Sequence, residues 1–359
     1  MTEPDIGAAR LKSQRLRGTA FTDAADVVAW LGAVQAQDYS GALWSIGLRL
    51  PTATEAAVQK AVFSGELVHT WAMRGTLHLL AAQDAAWMLA LLRPRLIEAN
   101  KRRYSELGLS EETLAEATAL LAETVAGGGR HSRQEMRDVL QTAGIATEGQ
   151  RLYYMLQRAG LENQICIAAQ IKNQSHYGHP PAAKDVFEER NSALAELARR
   201  YFLSHGPATV QDFGWWSGLL VADARAGLEA IEGELASFDA ARKTYWMAPG
   251  LLGQVEAEPL AHCVPRFDEY IVAYGDRTPI LADEYAAAWS ASKGMLVPSI
   301  LCNGQISGIW KGQRGKNKLE MSLQLFRPLA GAEREGVTES AERYGRFLDS
   351  DVMVTWAAE

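Results

Sequence analysis

Apolar residues recur three and four apart in "TDAADVVAWLGAVQAQD", which predicts a helix over 22–38 with one buried face. "SGALWSIGLRL" and "TEAAVQKAVFSGELV" keep that spacing, and "HTWAMRGTLHLL" then alternates as a strand pair does. The same order returns from residue 111. "SEETLAEATALLAETVA" is an amphipathic helix ended by "GGG" at 127–129. "HSRQEMRDVLQTAG" opens on Ser132 and Glu135 at capping-box spacing and closes on Gly144. A third helix, "EGQRLYYMLQRAG", leads into the strand-like "NQICIAAQI" and the polar turn "KNQSHYGHPP". The scheme appears once more as "SALAELARRYFLSHG", a second capping box at Thr209 and Asp212, the helix "VADARAGLEAIEGELASF" and the strand "KTYWMAP".

Three helices followed by a strand pair is the winged form of helix-turn-helix. The predicted fold is therefore α+β, with three tandem winged helix-turn-helix units near residues 10–80, 111–180 and 190–250. Beyond them, "HCVPRFDEYIVAYGDRTPIL", "GMLVPSILCNGQISGIWKG" and "KLEMSLQLFRPL" predict a C-terminal antiparallel strand-rich segment. The corresponding domains are 1–110, 111–180, 181–250 and 251–359.

Composition adds bounds. The 359 residues, 48% hydrophobic and 22% charged, suffice for several cores of ordinary globular make-up. Nothing approaches the roughly 18 consecutive apolar residues of a membrane span, and the first residues lack a secretion signal, so a cytoplasmic protein is expected. Cys166, Cys263 and Cys302 have no paired spacing and suit buried thiols in a reducing compartment. A formal charge of −7 weighs mildly against a polyanionic partner, but the local field decides such binding.

Two stretches supply such a field. "RPRLIEANKRRY" sets Arg93, Arg95, Lys101, Arg102 and Arg103 against Glu98 alone. "KGQRGKNK" places Lys311, Arg314, Lys316 and Lys318 between two strand patterns with no acid, the layout of a hairpin tip whose glycines let backbone approach a phosphate.

"LGAVQAQDYSGALWSIGLR", "RGTLHLL", "GPATVQDFGWWSGL" and "FDEYIVAYGDR" together resemble the winged-helix superfamily of the AlkZ and YcaQ-type DNA glycosylases, over about residues 10–350. In its AlkZ branch, linked to antibiotic self-resistance, the active site carries Gln-aliphatic-Gln, and in the YcaQ branch Gln-aliphatic-Asp. Gln35-Ala36-Gln37 matches the first. The resemblance implies a monofunctional glycosylase that hydrolyses N7-alkylated purines, bulky adducts or interstrand crosslinks among them, in double-stranded DNA. It implies Gln35 and Gln37 as catalytic residues, no cofactor or metal, and action as a monomer. Amides suit that chemistry: an N7-alkylated purine is cationic and leaves readily, so the enzyme need only place a water and stabilise an oxocarbenium-like transition state.

Around this pair, Asp38 reads as a cap or ion-pair partner, with active-site support as a nearby base the other reading. Thr76 and His78 project to one face of a strand, where the resemblance implies active-site support and a satisfied core histidine is the other reading. Asp268 and Tyr270 belong to the same supporting set, and Arg74 and Arg277 to the DNA-binding one. Asp268, Glu269 and Asp276 with Arg277 also suit either a metal-dependent nuclease or a structural acid-arginine network. His176 and His179 have no third ligand nearby. Trp215 and Trp216 read as core between repeats. A winged-helix transcription regulator without catalysis is the non-enzymatic alternative.

Overall fold

The computed structural model describes residues 4–18, 21–182, 187, 189–252, 260–290, 296–316 and 318–357. One grouping recurs: a helix, a short strand, two helices and a hairpin. The first comprises Ala24–Leu31, Val34–Gln35, Tyr39–Gly47, Glu55–Phe63 and the hairpin Leu67–Trp71 with Leu77–Ala81. The second comprises Glu111–Ala126, His131–Ser132, Arg133–Thr142, Arg151–Leu161 and the hairpin Cys166–Ile171 with Gln174–Gly178. In the third, Arg190–His205, Val210–Ser217 and Val221–Glu229 precede the hairpin Ala236–Ala240 with Lys243–Met247, and an isolated bridge between Ala208 and Trp246 replaces the short strand. Both capping boxes form as their spacing predicts, on Ser132 with Glu135 and on Thr209 with Asp212.

The first two groups share one six-stranded sheet, joined where His69 faces Ile167. A helix that the apolar spacing did not single out, Ala82–Glu106, links them with Pro94 inside it. One hydrophobic core runs from Ala33 through the second and third groups to Tyr274, and another joins the first group to the C-terminal sheet, from Leu11 to Leu348. The three cysteines are free and buried, which pushes Cys166 and Cys263 up to about 12 and Cys302 to about 11.

Six expectations need correction. The helix expected over 221–238 ends at Glu229, and Ala236–Ala240 is a strand that pairs with Lys243–Met247. The stretch 172–181, expected as a turn, carries the strand Gln174–Gly178 paired with Cys166–Ile171. The helix expected over 22–38 ends at Leu31, because Gly32 takes the left-handed φ of 78° and the chain then pairs with the strand Leu77–Ala81. The C-terminal sheet is not wholly antiparallel: Asp351–Trp356 lies parallel to Lys318–Leu325, reached through the crossover helix Gly331–Phe347. The "FDEYIV" stretch is a helical turn, Glu269–Val272, because the Asp268 side chain accepts the Tyr270 N–H at 2.9 Å and so starts a helix. Trp216 is core but Trp215 stands 48% exposed, since neighbours on a helix point about 100° apart.

Candidate active site

Past Gly32 the chain is extended at Val34–Gln35, and at the bend that follows the Gln37 side chain comes round to meet that of Gln35. On a regular helix their directions would differ by about 200°. Gln35 is paired across the sheet with His78, which is paired in turn with Thr70, so these three share a face. Ala36 donates its N–H to the Leu77 carbonyl at 2.8 Å, extending the pairing by one residue. Asp38 ends it as the N-cap of Tyr39–Gly47, accepting from the Gly41 N–H at 3.2 Å and the Ser40 hydroxyl at 3.1 Å.

The two amides form a relay. Arg74 donates through Nη2 to Gln35 Oε1 at 2.8 Å, and Gln35 Nε2 donates to Gln37 Oε1 at 2.7 Å. A guanidinium has only donors, so Gln35 must turn its oxygen toward Arg74 and its nitrogen toward Gln37. Gln35 is 5% exposed, whereas Gln37 is exposed and keeps a second lone pair on Oε1.

Arg74 occupies the left-handed region at φ 57°, an uncommon conformation for a side chain of its size, and Nη1 is held by the Trp215 and Trp216 carbonyls. Burial lowers its pKa, partly countered by the charge of Glu269. Gly218 makes room for the Arg74 backbone: it sits at φ 74°, and a Cβ there would lie 3.1 Å from the Arg74 backbone nitrogen.

Below the relay, Glu269 accepts the Gln35 N–H at 3.1 Å and the Trp216 indole N–H at 2.9 Å while only 1% exposed. His205 Nε2 lies 3.5 Å from the same carboxylate, and burial lowers its pKa despite that acid. Asp268 and Tyr270, read as supporting residues, are buried and bonded away from the amides. Asp268 forms a bidentate pair with Arg49 at 2.9 and 3.0 Å and accepts from the Ser45 hydroxyl at 2.6 Å. Burial alone would raise its pKa, yet Arg49 and these hydrogen bonds hold it below the usual carboxylate range. The Tyr270 hydroxyl donates toward the carbonyls of Gly7 and Gly304, at 2.9 and 2.8 Å. Both residues therefore bear on the site through the adjoining Glu269.

His78 is buried, with Nδ1 2.9 Å from the Thr76 carbonyl, and Thr76 Oγ1 bonds the Met73 carbonyl at 3.2 Å. Burial, with Arg74 nearby, brings His78 down to about 4. Burial also brings His69 to about 4 and His262 to about 3. These folded values lie below the unfolded one of about 6.5, so the unfolded chain binds more protons as pH falls from 6.5 toward 4 and stability drops over that window. Each histidine contributes a loss on the order of 3 kcal/mol by pH 4. Urea midpoints measured from pH 7 to 4.5 are expected to fall steadily; a flat profile would show that these rings are hydrated.

The remaining site expectations divide. Arg314 is tied to Glu55 at 2.7 Å and to the Leu348 carbonyl at 3.1 Å, bracing the hairpin Gln305–Arg314 with Lys318–Leu325, while Lys311, Lys316 and Lys318 are exposed. Arg277 donates to the Ile271 carbonyl at 3.0 Å and is partly buried against Trp289. In the other basic stretch Lys101 pairs with Glu98, and Arg102 and Arg103 both pair with Glu106, an acid just beyond it. Asp276 pairs with Lys243, and among the described residues no group of three or more His, Cys, Asp or Glu is placed to hold a metal ion. His176 and His179 each bond a backbone carbonyl through Nδ1.

A sequence profile of the family described as DNA glycosylase AlkZ-like matches residues 28–347. The chain belongs to the AlkZ-like DNA glycosylase family. It is an enzyme of that class. Among curated proteins it resembles the interstrand DNA cross-link repair glycosylase of Streptomyces sahachiroi, 27% identical over an alignment of 339 residues that covers 85% of this chain and 86% of that protein. Among solved structures it superposes on the Streptomyces sahachiroi DNA glycosylase AlkZ with a TM-score of 0.76 at 22% identity, over 98% of each chain, a likeness of fold. None of these findings supports the regulator alternative. Glu269, Trp216 and His205 were not legible as a group around the amides, because 234 residues separate Gln35 from Glu269. Among the described residues no helix is long and apolar enough to cross a membrane.

Proposed function

We propose that this glycosylase hydrolyses the N-glycosidic bond of N7-alkylated purines in double-stranded DNA, with Gln37 holding the attacking water. The relay Arg74 to Gln35 to Gln37 carries this reading, because it leaves one oriented acceptor on an exposed amide. A water donating to Gln37 Oε1 is aligned with the anomeric carbon. The bond from that carbon to the base breaks, its electron pair neutralises the purine cation, and the water's proton passes to solvent. Gln35 is the positioning residue, and the buried Glu269 places negative charge behind the pair where the sugar becomes cationic. A neutral purine is a poorer leaving group and needs protonation, which amides do not supply.

Each recurring group has the element order of a winged helix, which supports three tandem units meeting DNA along one face as a monomer. The experiment is release of free 7-methylguanine from a duplex by the purified protein; a duplex bound with sequence preference and no base released would favour the regulator. Since the amides do not titrate, and burial holds His78 near 4, the excision rate is expected to be flat from about pH 6.5 to 9. A bell-shaped profile in that range would assign the chemistry to a carboxylate or histidine.

Lys311, Lys316 and Lys318 are assigned to the phosphate backbone. Changing all three to alanine is expected to weaken binding to every duplex sequence and to reduce the slope of log affinity against log salt by about 0.9 for each phosphate that is no longer neutralised. An unchanged slope would make them ordinary solvated surface.

A further inference from the structure

Eight large hydrophobic side chains stand exposed among the described residues, and three of them fall within seven positions: Trp215 at 48%, Leu220 at 51% and Val221 at 53%. They lie on and beside the turn joining Val210–Ser217 to Val221–Glu229. This turn is held firmly. The Trp215 indole N–H donates to the Val272 carbonyl at 3.1 Å, and Gly218 is pressed against Arg74 in a left-handed cap. Arg74 binds the carbonyls of Trp215 and Trp216 with one nitrogen and Gln35 with another, so a single guanidinium joins the apolar turn to the amides.

We infer that Leu220 and Val221 form a wedge that enters the base stack beside the damaged nucleotide and holds it open, with Trp215 as the rigid flank. This rests on the reading that Gln37 attacks the sugar. Leu220 is two residues past Gly218, so its Cα lies within about 7 Å of it. From Gly218 the connection to the amides runs through Arg74, which contacts that glycine and bonds Gln35, and through Gln35 to Gln37. Apolar side chains on a firmly held turn are what unstacking requires, since they replace stacking contacts without leaving polar groups unpaired. A protein partner is less well matched: three side chains cover a small part of the roughly 800 Å² per side that a stable interface needs.

The test uses a duplex with 2-aminopurine next to an uncleavable 7-methylguanine analogue, together with two cleavable substrates, one fully paired and one with the lesion in a small bubble. Wild type is expected to raise the 2-aminopurine fluorescence on binding. The variant Leu220→Ser with Val221→Ser is expected to lose most of that rise and to excise from the paired duplex about ten- to a hundredfold more slowly. In the bubble, already unstacked, its rate should match wild type. Because both residues are exposed and Ser at 220 can cap the helix Val221–Glu229, its unfolding midpoint should not fall. Unchanged fluorescence and duplex rate would overturn the wedge, as would equal losses on duplex and bubble, or wild-type self-association that the variant abolishes with fluorescence unchanged. Gln37→Ala separates the two ideas: it should keep the fluorescence rise while losing excision. Full excision by Gln37→Ala would remove the amide reading and leave the fluorescence to judge the wedge alone.

Discussion

Replacing Gln37 with alanine is expected to slow single-turnover release of 7-methylguanine by about ten- to a thousandfold, the range for losing one preorganised polar group. Affinity for an uncleavable duplex should hardly change, since binding is dominated by the many cationic contacts to phosphates. Gln35→Ala should give a smaller loss, because Gln37 keeps its oxygen and only its orientation is freed. Gln35→Glu is the more telling change. A carboxylate accepts from Arg74 as the amide does, but it has no N–H for Gln37 Oε1, so Gln37 must turn its nitrogen inward and its oxygen away. Excision should then fall to near the Gln37→Ala rate. Full activity of the Gln35→Ala and Gln37→Ala double variant would return both residues to a structural role, and loss of binding in step with activity would make them DNA contacts.

Asp268→Ala is expected to destabilise the fold by about 3–5 kcal/mol, because it strands the Arg49 charge where both side chains are wholly buried. Against a total stability of about 5–15 kcal/mol this is a severe change, and urea unfolding monitored by tryptophan fluorescence would register it. Replacing the pair together, Arg49→Met with Asp268→Leu, should recover much of the loss, since an apolar pair of similar volume carries no desolvation penalty. The Arg49 guanidinium also bonds the Gln14 carbonyl and Gln14 Oε1, both at 2.9 Å, so recovery will be incomplete. A loss under about 1 kcal/mol for Asp268→Ala would mean that water reaches the pair. Asp268 starts the helical turn that carries Glu269, so excision by the double variant should also report how far the site depends on that anchor.

The parts of this molecule legible from the chain are those whose partners lie three or four residues away. Ser132 with Glu135 and Thr209 with Asp212 capped their helices as their spacing foretold, and the helix Glu111–Ala126 stopped at the glycine run. Gln35 and Gln37 stood out as an unusual pair of amides, but on the assumption of a helix that needed a break. "AVQAQ" is too short to separate a period of 3.6 from a period of 2, and its strand partner lies more than forty residues onward. The parallel edge strand Asp351–Trp356 was missed because its pairing follows a crossover helix, whereas "KLEMSLQLFRPL" alternates like any hairpin strand.

By itself, then, the sequence determined the capped helices, the first hairpin and the basic one, the buried cysteines and the unusual pair of amides, because propensity, capping and alternation act between near neighbours. Tertiary structure decided how that pair is wired. It brought Arg74 to Gln35 across 39 residues, Glu269 across 234, and Arg49 to Asp268 across 219. It also chose which of two adjacent tryptophans entered the core and which stayed exposed beside Arg74. Such contacts depend on how whole layers pack, and nothing in the spacing along a chain encodes which distant donor will meet which acceptor once water is excluded.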